Sequence, residues 1–306
     1  MLALLPPLLR GLASALLVSV STVMLCLAMV PPALLKGVVR GGGLRARADR
    51  ALMALAAAWV AINNAWIAAV HPQARWDVQG IDGLDPRGWY LVACNHLSAV
   101  DILVLQRVFR GRIPFLKFFL KRELIWVPVI GLAWWALDFP FMRRGKSRAD
   151  MRRDLEATRE ACQRFRHVPT SVMNFVEGTR ATPAKRARER SPYRHLLKPK
   201  VGGLSVALAT MGDQFECLLD VTLFYPSRTP SFWDLLCGRM DAVVVRVQRR
   251  EIPSTLRGLD AAGERARLVR LGRWLEQIWT EKDALIDSLQ AAGPAAGLPR
   301  APAQPS

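Results

Sequence analysis

The stretch "WYLVACNHLSAVDILVLQRVF", Trp89 to Phe109, joins a β-rich run to a helical one. The segment "WYLVAC" is apolar and rich in strand-forming residues, which predicts a buried strand over 89–94. The segment "AVDILVLQRVF" then predicts a helix, with Ser98 and Asp101 spaced as a capping box at its start. A buried strand that leads directly into a helix is the building unit of α/β proteins.

Similar β-rich runs recur along the chain, at 171–176, 218–224 and 242–247. Apolar residues at helical spacing predict a long helix over 264–290, and Ser147 with Asp150 forms a second capping-box pattern that predicts a helix between the first two runs. The fold class that we predict is therefore α/β, with a central mostly parallel or mixed sheet flanked by helices.

His96 lies at the carboxyl end of the first predicted strand, where open α/β sheets usually place their chemistry. Asp101 follows five residues later, a spacing at which two side chains on one continuous helix would point apart. A chain reversal before the helix would instead bring the carboxylate to the imidazole. The carboxylate would then fix the tautomer and leave the other ring nitrogen free as a general base. The alternative is that Asp101 only caps the helix and His96 is a structural loop residue.

The segment "NFVEGTR", Asn174 to Arg180, has the same pattern of an apolar β run followed by polar residues. Gly178 allows close approach to the backbone, Thr179 offers a hydroxyl, and Arg180 suits bidentate binding of a phosphate. The alternative for Glu177 and Arg180 is an ordinary pair of surface charges.

The charge balance indicates an anionic partner. Lys and Arg number 43 against 25 acidic residues, a formal net charge of +18 over 306 residues. Such an excess fits nucleic acid, an anionic membrane surface or a phosphorylated substrate. The five cysteines are scattered without a CxxC pair, and the four histidines lie far apart, so we predict neither a disulfide framework nor a metal site.

The N-terminus favours the membrane among these partners. Residues 11–35 contain no charge and are long enough to cross a bilayer, and we predict that residues 1–36 are a retained membrane-anchoring segment rather than a cleaved signal peptide. Basic residues follow this segment and only Arg10 precedes it, which predicts that the remainder lies in the cytoplasm, at the inner membrane if the protein is bacterial.

The next region, 37–72, is interpreted as a flexible basic linker with "GGG" at 41–43, followed by a helix over 51–70. One stripe of that helix is more apolar than the other, which predicts that it lies at the membrane interface, although a second span is the alternative. Residues 73–290 form the predicted catalytic domain, and 291–306 form a low-complexity tail that we predict to be disordered.

The segment "AKRARERSPYRHLLKPK", Ala184 to Lys200, carries seven Lys or Arg residues and one acid. Three interpretations stay open. It is a patch for anionic lipid headgroups, a docking surface for an acidic or phosphorylated partner, or a solvated loop.

Several of these motifs together resemble one known family. The block "NHLSAVD" matches the NHxSxxD motif of the glycerolipid acyltransferases, whose best-known members are the lysophosphatidic acid acyltransferases. The later blocks "KREL…VPVIG", "FMRR", "VEGTR" and "VTLFYP" are similar to that family's later motifs and follow in its order. The resemblance covers roughly residues 85–230 and an N-terminal membrane helix.

The resemblance implies transfer of an acyl group from acyl-CoA or acyl carrier protein to a glycerol hydroxyl of a lysophospholipid, most simply 1-acyl-sn-glycerol-3-phosphate, without a cofactor. It implies His96 as general base and Asp101 as its orienting partner. The acceptor-binding residues that it implies are Lys121, Arg144, Glu177, Gly178, Thr179 and Arg180. Anionic membrane lipids are expected partners and nucleic acid is not. For residues 184–200 the resemblance implies that a docked partner would be the acidic acyl carrier protein or the phosphates of CoA.

Two other functions fit the sequence. The first is an acyltransferase for another lysophospholipid, such as lysophosphatidylglycerol or lysophosphatidylinositol. The second is a non-catalytic protein, tethered to the membrane, that binds anionic lipid or nucleic acid through its basic residues.

Overall fold

A mixed six-stranded sheet forms the centre of the protein. The computed structural model describes residues 2–39, 41–118, 120–127, 130–139, 141–142, 169–258 and 263–293. The strands of the sheet lie in the order β1-β8-β7-β2-β6-β3, and a separate two-stranded pair is formed by β4 and β5. The strands are β1 Arg75–Gln79, β2 Tyr90–Cys94, β3 Leu116–Phe118, β4 Leu120–Lys121, β5 Phe141–Met142, β6 Ser171–Phe175, β7 Cys217–Phe224 and β8 Ala242–Arg250.

Strands β3, β6, β2 and β7 run parallel to one another, so their carboxyl ends share one edge of the sheet. Strand β8 pairs antiparallel with β7 and parallel with β1, which makes the sheet mixed. The predicted fold class and the four predicted strands are confirmed. Strands β1 and β3 were not predicted: they lie at the two edges of the sheet, and each is short and carries charged side chains.

Helices cover both faces of the sheet. They are α1 Pro7–Val38, α2 Gly42–Val70, α3 Asp101–Phe109, α4 Ile130–Ala136, α5 Pro183–Glu189, α6 Gly202–Met211, α7 Phe232–Leu236 and α8 Glu264–Ala291. One apolar core joins the sheet to α1, α2, α3, α4 and α7, and the other joins it to α6 and α8. The long helix predicted over 264–290 is confirmed as α8, whereas the helix predicted from Ser147 and the tail from residue 294 lie outside the described residues.

Helices α1 and α2 are both long and apolar enough to cross a bilayer, with mean hydropathies of 2.3 and 1.6. Many apolar side chains of α1 are exposed: Leu8, Leu9, Leu12, Leu16, Leu17, Val20, Val23, Met24, Leu27 and Leu34. Helix α2 is more buried, because Leu52 and Trp66 of its predicted apolar stripe pack into the core. The prediction of a flexible linker over 36–50 is wrong in extent. Helix α2 already begins at Gly42, and it contains the basic residues Arg45, Arg47 and Arg50.

Both ends of α1 contact the globular part of the chain. Near its start Gly11 packs so closely on α7 that an added Cβ would lie 2.6 Å from Cys237 Sγ. Near its end Lys36 Nζ donates a 2.9 Å hydrogen bond to Ala136 O, at the end of α4. A helix of 32 residues is about 48 Å long, so α1 lies alongside the domain instead of projecting from it.

Candidate active site

The turn between β2 and α3 brings His96 and Asp101 into contact. Nδ1 of His96 lies 2.9 Å from Oδ2 of Asp101. His96 is the second residue after β2 and Asp101 is the first residue of α3, so the chain reverses between them as the sequence predicted. Because a carboxylate only accepts hydrogen bonds, Nδ1 carries the proton and Nε2 is left as the acceptor nitrogen. The predicted contact is confirmed, and the catalytic role stays a prediction.

Asp101 is fully buried and accepts hydrogen bonds on both oxygens. Its Oδ2 also accepts from the backbone amides of Leu97 at 2.6 Å and Ser98 at 2.8 Å. Its Oδ1 accepts from the hydroxyl of Tyr225 at 2.8 Å. Burial and the neighbouring Asp101 charge raise the pKa of Tyr225 well above its ordinary value, so the phenol keeps the proton that it donates. Four donors therefore fix the carboxylate that orients His96.

The capping box predicted at Ser98 is only half right. The Asp101 carboxylate does accept from the Ser98 amide, but the Ser98 hydroxyl accepts from the amide of Val100 at 3.2 Å and donates to Pro230 O. The hydroxyl therefore ties the turn to the loop after β7 and does not cap α3. The tertiary contact with that loop outweighs the local capping preference.

A ring contact and the hydrogen bonds of the preceding residue also hold His96 in place. Its ring stacks on Phe175, with centroids 3.9 Å apart and planes at 16°. The preceding residue, Asn95, exchanges two hydrogen bonds with the backbone of Leu223 in β7, at 2.9 and 2.8 Å. The side chain of His96 is 16% exposed, so the fixed ring is not fully enclosed.

The "VEGTR" turn at the end of β6 lies directly beside this histidine. The amide of Ala181 donates to the carbonyl of His96 at 2.7 Å, and the amide of Val176 donates to the carbonyl of Cys94 at 3.3 Å. Gly178 has a φ of 68°, a left-handed conformation that favours glycine, and an added Cβ would lie 3.3 Å from Lys200 Cδ. The two blocks that the sequence singled out thus form one site at the carboxyl edge of the sheet.

Glu177 is completely buried in this turn, and neither of its carboxyl oxygens has a hydrogen-bond partner. Burial raises the pKa of Glu177 to about 8, against the lowering effect of the backbone amides of Leu197 and His96 and of the charge on Lys282. These amides lie near the carboxyl group but not in hydrogen-bonding geometry, which is why burial dominates the pKa. At neutral pH Glu177 is mostly a neutral acid that has an O–H to donate.

Replacing Glu177 with Gln should flatten the pH dependence of stability. The folded protein keeps the proton of Glu177 up to about pH 8, whereas the unfolded chain releases it near the ordinary value of 4.5. The folded state therefore holds more protons between these limits, and the free energy of unfolding falls as the pH rises through this range. We expect the melting temperature of the wild type to fall between pH 5 and 8.5 by several degrees more than that of Glu177→Gln, with both measured in detergent micelles.

Glu189→Gln, on the surface of α5, is the control and should keep the pH dependence of the wild type. If the melting temperatures of wild type and Glu177→Gln change with pH in the same way over the whole range, Glu177 is already ionised in the folded protein.

The other predicted acceptor residues differ in how they are placed. Thr179 accepts a 2.6 Å hydrogen bond from Lys185 Nζ, and Arg180, the last residue of the "VEGTR" segment, is exposed. Lys121 lies in β4, paired with Met142 in β5, and its side chain is outside the described residues. Arg144 is also outside the described residues, so the roles of both stay predictions. Asn95 and Tyr225 belong to the site but were not predicted as site residues.

Lys282 of α8 brings an unpredicted charge beneath the site. Its side chain is fully buried, and Nζ lies 2.6 Å from Asp220 Oδ1 and 2.6 Å from Val221 O, both in β7. Arg250 also pairs with Asp220 at 3.2 Å and with Glu281 at 2.6 Å. This buried ion network joins α8 to the centre of the sheet and supplies the positive charge near Glu177.

Comparison with known proteins gives one consistent family. Residues 75–224 match the family model described as Acyltransferase. The chain is 26% identical over 221 residues to mouse 1-acyl-sn-glycerol-3-phosphate acyltransferase gamma, covering 66% of this chain and 54% of the relative. It is 25% identical over 242 residues to human 1-acyl-sn-glycerol-3-phosphate acyltransferase delta, and this match covers 71% of this chain and 59% of the relative. The chain thus spans a little over half the length of these relatives.

The fold also matches a solved structure, that of the 1-acyl-sn-glycerophosphate (LPA) acyltransferase PlsC from Thermotoga maritima. The TM-score is 0.54 at 16% identity, and the match covers 93% of this chain and 97% of that one. At this identity the match supports the fold and not the substrate.

Proposed function

Through residues 75–224 the chain belongs to the acyltransferase family, and we propose that it moves a fatty acyl group from a CoA or carrier-protein thioester to the free glycerol hydroxyl of a lysophospholipid. The preferred acceptor is 1-acyl-sn-glycerol-3-phosphate, which would give phosphatidic acid. The observation that carries the proposal is the 2.9 Å contact between His96 and Asp101 beside the "VEGTR" turn. The names of the relatives support the choice of acceptor.

In the proposed reaction His96 acts as a general base. Its Nε2 removes the proton of the acceptor hydroxyl while the hydroxyl oxygen attacks the thioester carbonyl carbon. The tetrahedral intermediate collapses with cleavage of the C–S bond, and the imidazolium returns the proton to the leaving sulfur. Asp101 keeps the ring oriented and stabilises the imidazolium. The thioester is already activated, so the step uses no metal ion or organic cofactor.

The acceptor headgroup would bind at the "VEGTR" turn. Arg180 is exposed there, next to the turn that carries His96, and its guanidinium can bind a phosphate through two parallel hydrogen bonds. Glu177, Gly178 and Thr179 complete this side of the site. Lys121 and Arg144 are proposed to supply further positive charge, on the basis of the resemblance.

Arg180→Ala should chiefly raise the KM for the acceptor. Loss of a charge-assisted hydrogen bond weakens binding by about 10- to 100-fold, while kcat stays within a few-fold because His96 and Asp101 are unchanged. Initial rates with 1-acyl-glycerol-3-phosphate in mixed micelles give both constants. Arg188→Ala, on the exposed face of α5, is the matched control. An unchanged acceptor KM for Arg180→Ala would remove Arg180 from the phosphate site.

We propose that the protein associates with the membrane through its N-terminal helices, both of which are long and apolar enough to cross a bilayer. We propose that α1 lies along the membrane surface with its exposed apolar side in one leaflet, because both of its ends contact the catalytic domain. This differs from the crossing segment that the sequence favoured. Arg47 and Arg50 are exposed in the first turns of α2, and these charges support the proposal that the domain lies at the cytoplasmic face with its anionic lipids.

Single cysteines at Leu5 and at Val38 of α1 test this arrangement in sealed membranes. Both should react with an impermeant thiol reagent from the same side, whereas a crossing helix would expose them on opposite sides.

The decisive test of function is an acyl-transfer assay with labelled acyl-CoA and acyl carrier protein and a panel of lysophospholipids. Preference for lysophosphatidic acid, with its phosphate monoester, supports the proposal. Preference for lysophosphatidylglycerol or lysophosphatidylinositol would assign another acceptor within the same family. No product with any pair of substrates would overturn the proposed function.

A further inference from the structure

A cavity of about 390 Å³ lies next to the catalytic pair, between α5, the loop after β7 and the end of α8. Its volume lies within the range of about 300–1,000 Å³ that small-molecule and cofactor sites occupy. The residues that matter for its chemistry are Leu97, Arg186, His195, Tyr225, Arg228 and Leu289.

One wall of this cavity is part of the catalytic machinery. Tyr225 donates to Asp101 Oδ1 at 2.8 Å, and the amide of Leu97 donates to Asp101 Oδ2 at 2.6 Å. A ligand in contact with Tyr225 or Leu97 therefore touches residues that bind Asp101, the partner of His96.

Two arginines and a histidine also line the cavity. A single hydrogen bond holds Arg186 to the carbonyl of His195, at 3.0 Å, and Arg228 lies 2.6 Å from Asp234 Oδ1. Each contact uses only some of the five N–H donors of a guanidinium. The ring of His195 lies 2.9 Å from Asp287 Oδ1. The rest of the lining mixes apolar side chains, such as Leu97 and Leu289, with the polar Ser227, Thr229 and Gln290, so the cavity is suited to a ligand with an anionic end and a body that is partly polar.

The basic segment 184–200 packs on the face of the sheet that carries α8. Asp283 of α8 accepts from the amides of Arg194 and His195, both at 2.9 Å, and Leu196 belongs to the apolar core of that face. The exposed apolar helix α1 packs on the other face. The segment is thus anchored away from the surface that would enter lipid, which favours a water-soluble anionic ligand over lipid headgroups.

We propose that this cavity binds the phosphopantetheine arm of the acyl donor. Arg186 and Arg228 receive the phosphate, and the apolar wall guides the arm so that its thioester reaches His96. CoA and acyl carrier protein share this arm, so the proposal holds for either donor. The inference rests on the proposed function and assigns its donor to residues other than Arg180.

Two substitutions test the site by different means. Arg186→Glu reverses a charge at the proposed phosphate position, and Leu289→Trp fills the cavity from a partly buried position on α8. We expect each to weaken binding of CoA, measured by titration calorimetry in detergent micelles, by about tenfold or more. In transfer assays each should raise the donor KM similarly and leave the acceptor KM within about twofold.

Arg188→Glu is the matched control, since Arg188 lies on the same helix, is 74% exposed and does not line the cavity. It should leave CoA binding unchanged. Phosphopantetheine should compete with CoA better than pantetheine does in the wild type, and Arg186→Glu should abolish that difference. The donor with the lower KM, acyl-CoA or acyl carrier protein, identifies the source of the arm.

The proposal is overturned if both cavity variants leave CoA binding and the KM for both donors unchanged, or if they raise only the acceptor KM. Binding of CoA is measured without acyl transfer, so the two proposals fail separately. A wild type that binds CoA through Arg186 but transfers no acyl group would retain the cavity assignment and overturn the proposed function.

Discussion

His96→Ala should lower kcat by about 10²–10⁴-fold, the usual contribution of a positioned general base. The acceptor is an alcohol whose proton must leave as its oxygen attacks the thioester. Nε2 of His96 is the free nitrogen of a ring that is fixed by Asp101 and stacked on Phe175. Removing the ring removes the base and leaves the proposed sites for the acceptor phosphate and the donor arm in place. Initial rates with saturating donor and acceptor measure the effect.

The same variant separates catalysis from non-catalytic binding. Binding to vesicles that contain anionic lipid should be unchanged in His96→Ala, and its melting temperature measures how far loss of the ring that stacks on Phe175 lowers stability. Arg188→Ala should keep full turnover. A His96→Ala protein that retains wild-type turnover would refute the general base and would revive the alternative of a basic protein that only binds anionic lipid or nucleic acid.

The parts of the site that could be predicted from the sequence are those that local chain geometry determines. A buried strand, a six-residue connection and a helix leave few ways to place His96 and Asp101, and the contact predicted from that geometry is present. The run "WYLVAC" was recognisable as a strand because it is buried on both faces. Residues 264–290 were recognisable as a helix because their apolar positions repeat over several turns.

Sequence reasoning failed where distant contacts decide the structure. Tyr225 reaches Asp101 across 124 residues, and Lys282 pairs with Asp220 beneath the sheet. No local pattern marks either residue for such a role. The hydroxyl of Ser98 binds a loop carbonyl instead of capping α3. The pKa of Glu177 also depends on the backbone of Leu197 and on the charge of Lys282, both from later in the chain.

Asp101→Asn should lower kcat by about 10²-fold or more while the fold is preserved, since hydrogen bonds to charged groups and the stabilised imidazolium are lost together. The carboxylate oxygen Oδ2 faces the amides of Leu97 and Ser98 as well as the imidazole. An amide nitrogen at that position would face three N–H donors, so the Asn oxygen should occupy it. The Asn nitrogen would then face Tyr225, whose hydroxyl can rotate to accept.

This orientation makes the variant a test of charge with little change of geometry. The histidine keeps its tautomer, but the imidazolium that forms during the reaction loses the negative charge beside it. Asp101→Ala, in contrast, leaves two backbone amides and a phenol without their acceptor, and each buried unsatisfied group costs about 1–3 kcal/mol. Asp101→Ala should therefore lose stability as well as turnover, and the melting temperatures of the two variants separate these effects.

Tyr225→Phe provides the graded comparison. It removes one donor to Oδ1 but keeps the charge of Asp101 and all contacts of Oδ2, so kcat should fall by no more than about tenfold. The expected order of kcat is wild type, Tyr225→Phe, Asp101→Asn and His96→Ala. If Asp101→Asn retains the turnover of Tyr225→Phe, the negative charge contributes nothing to the reaction. Asp101 would then act only by positioning the imidazole, and His96 would work as a base without electrostatic support from its partner.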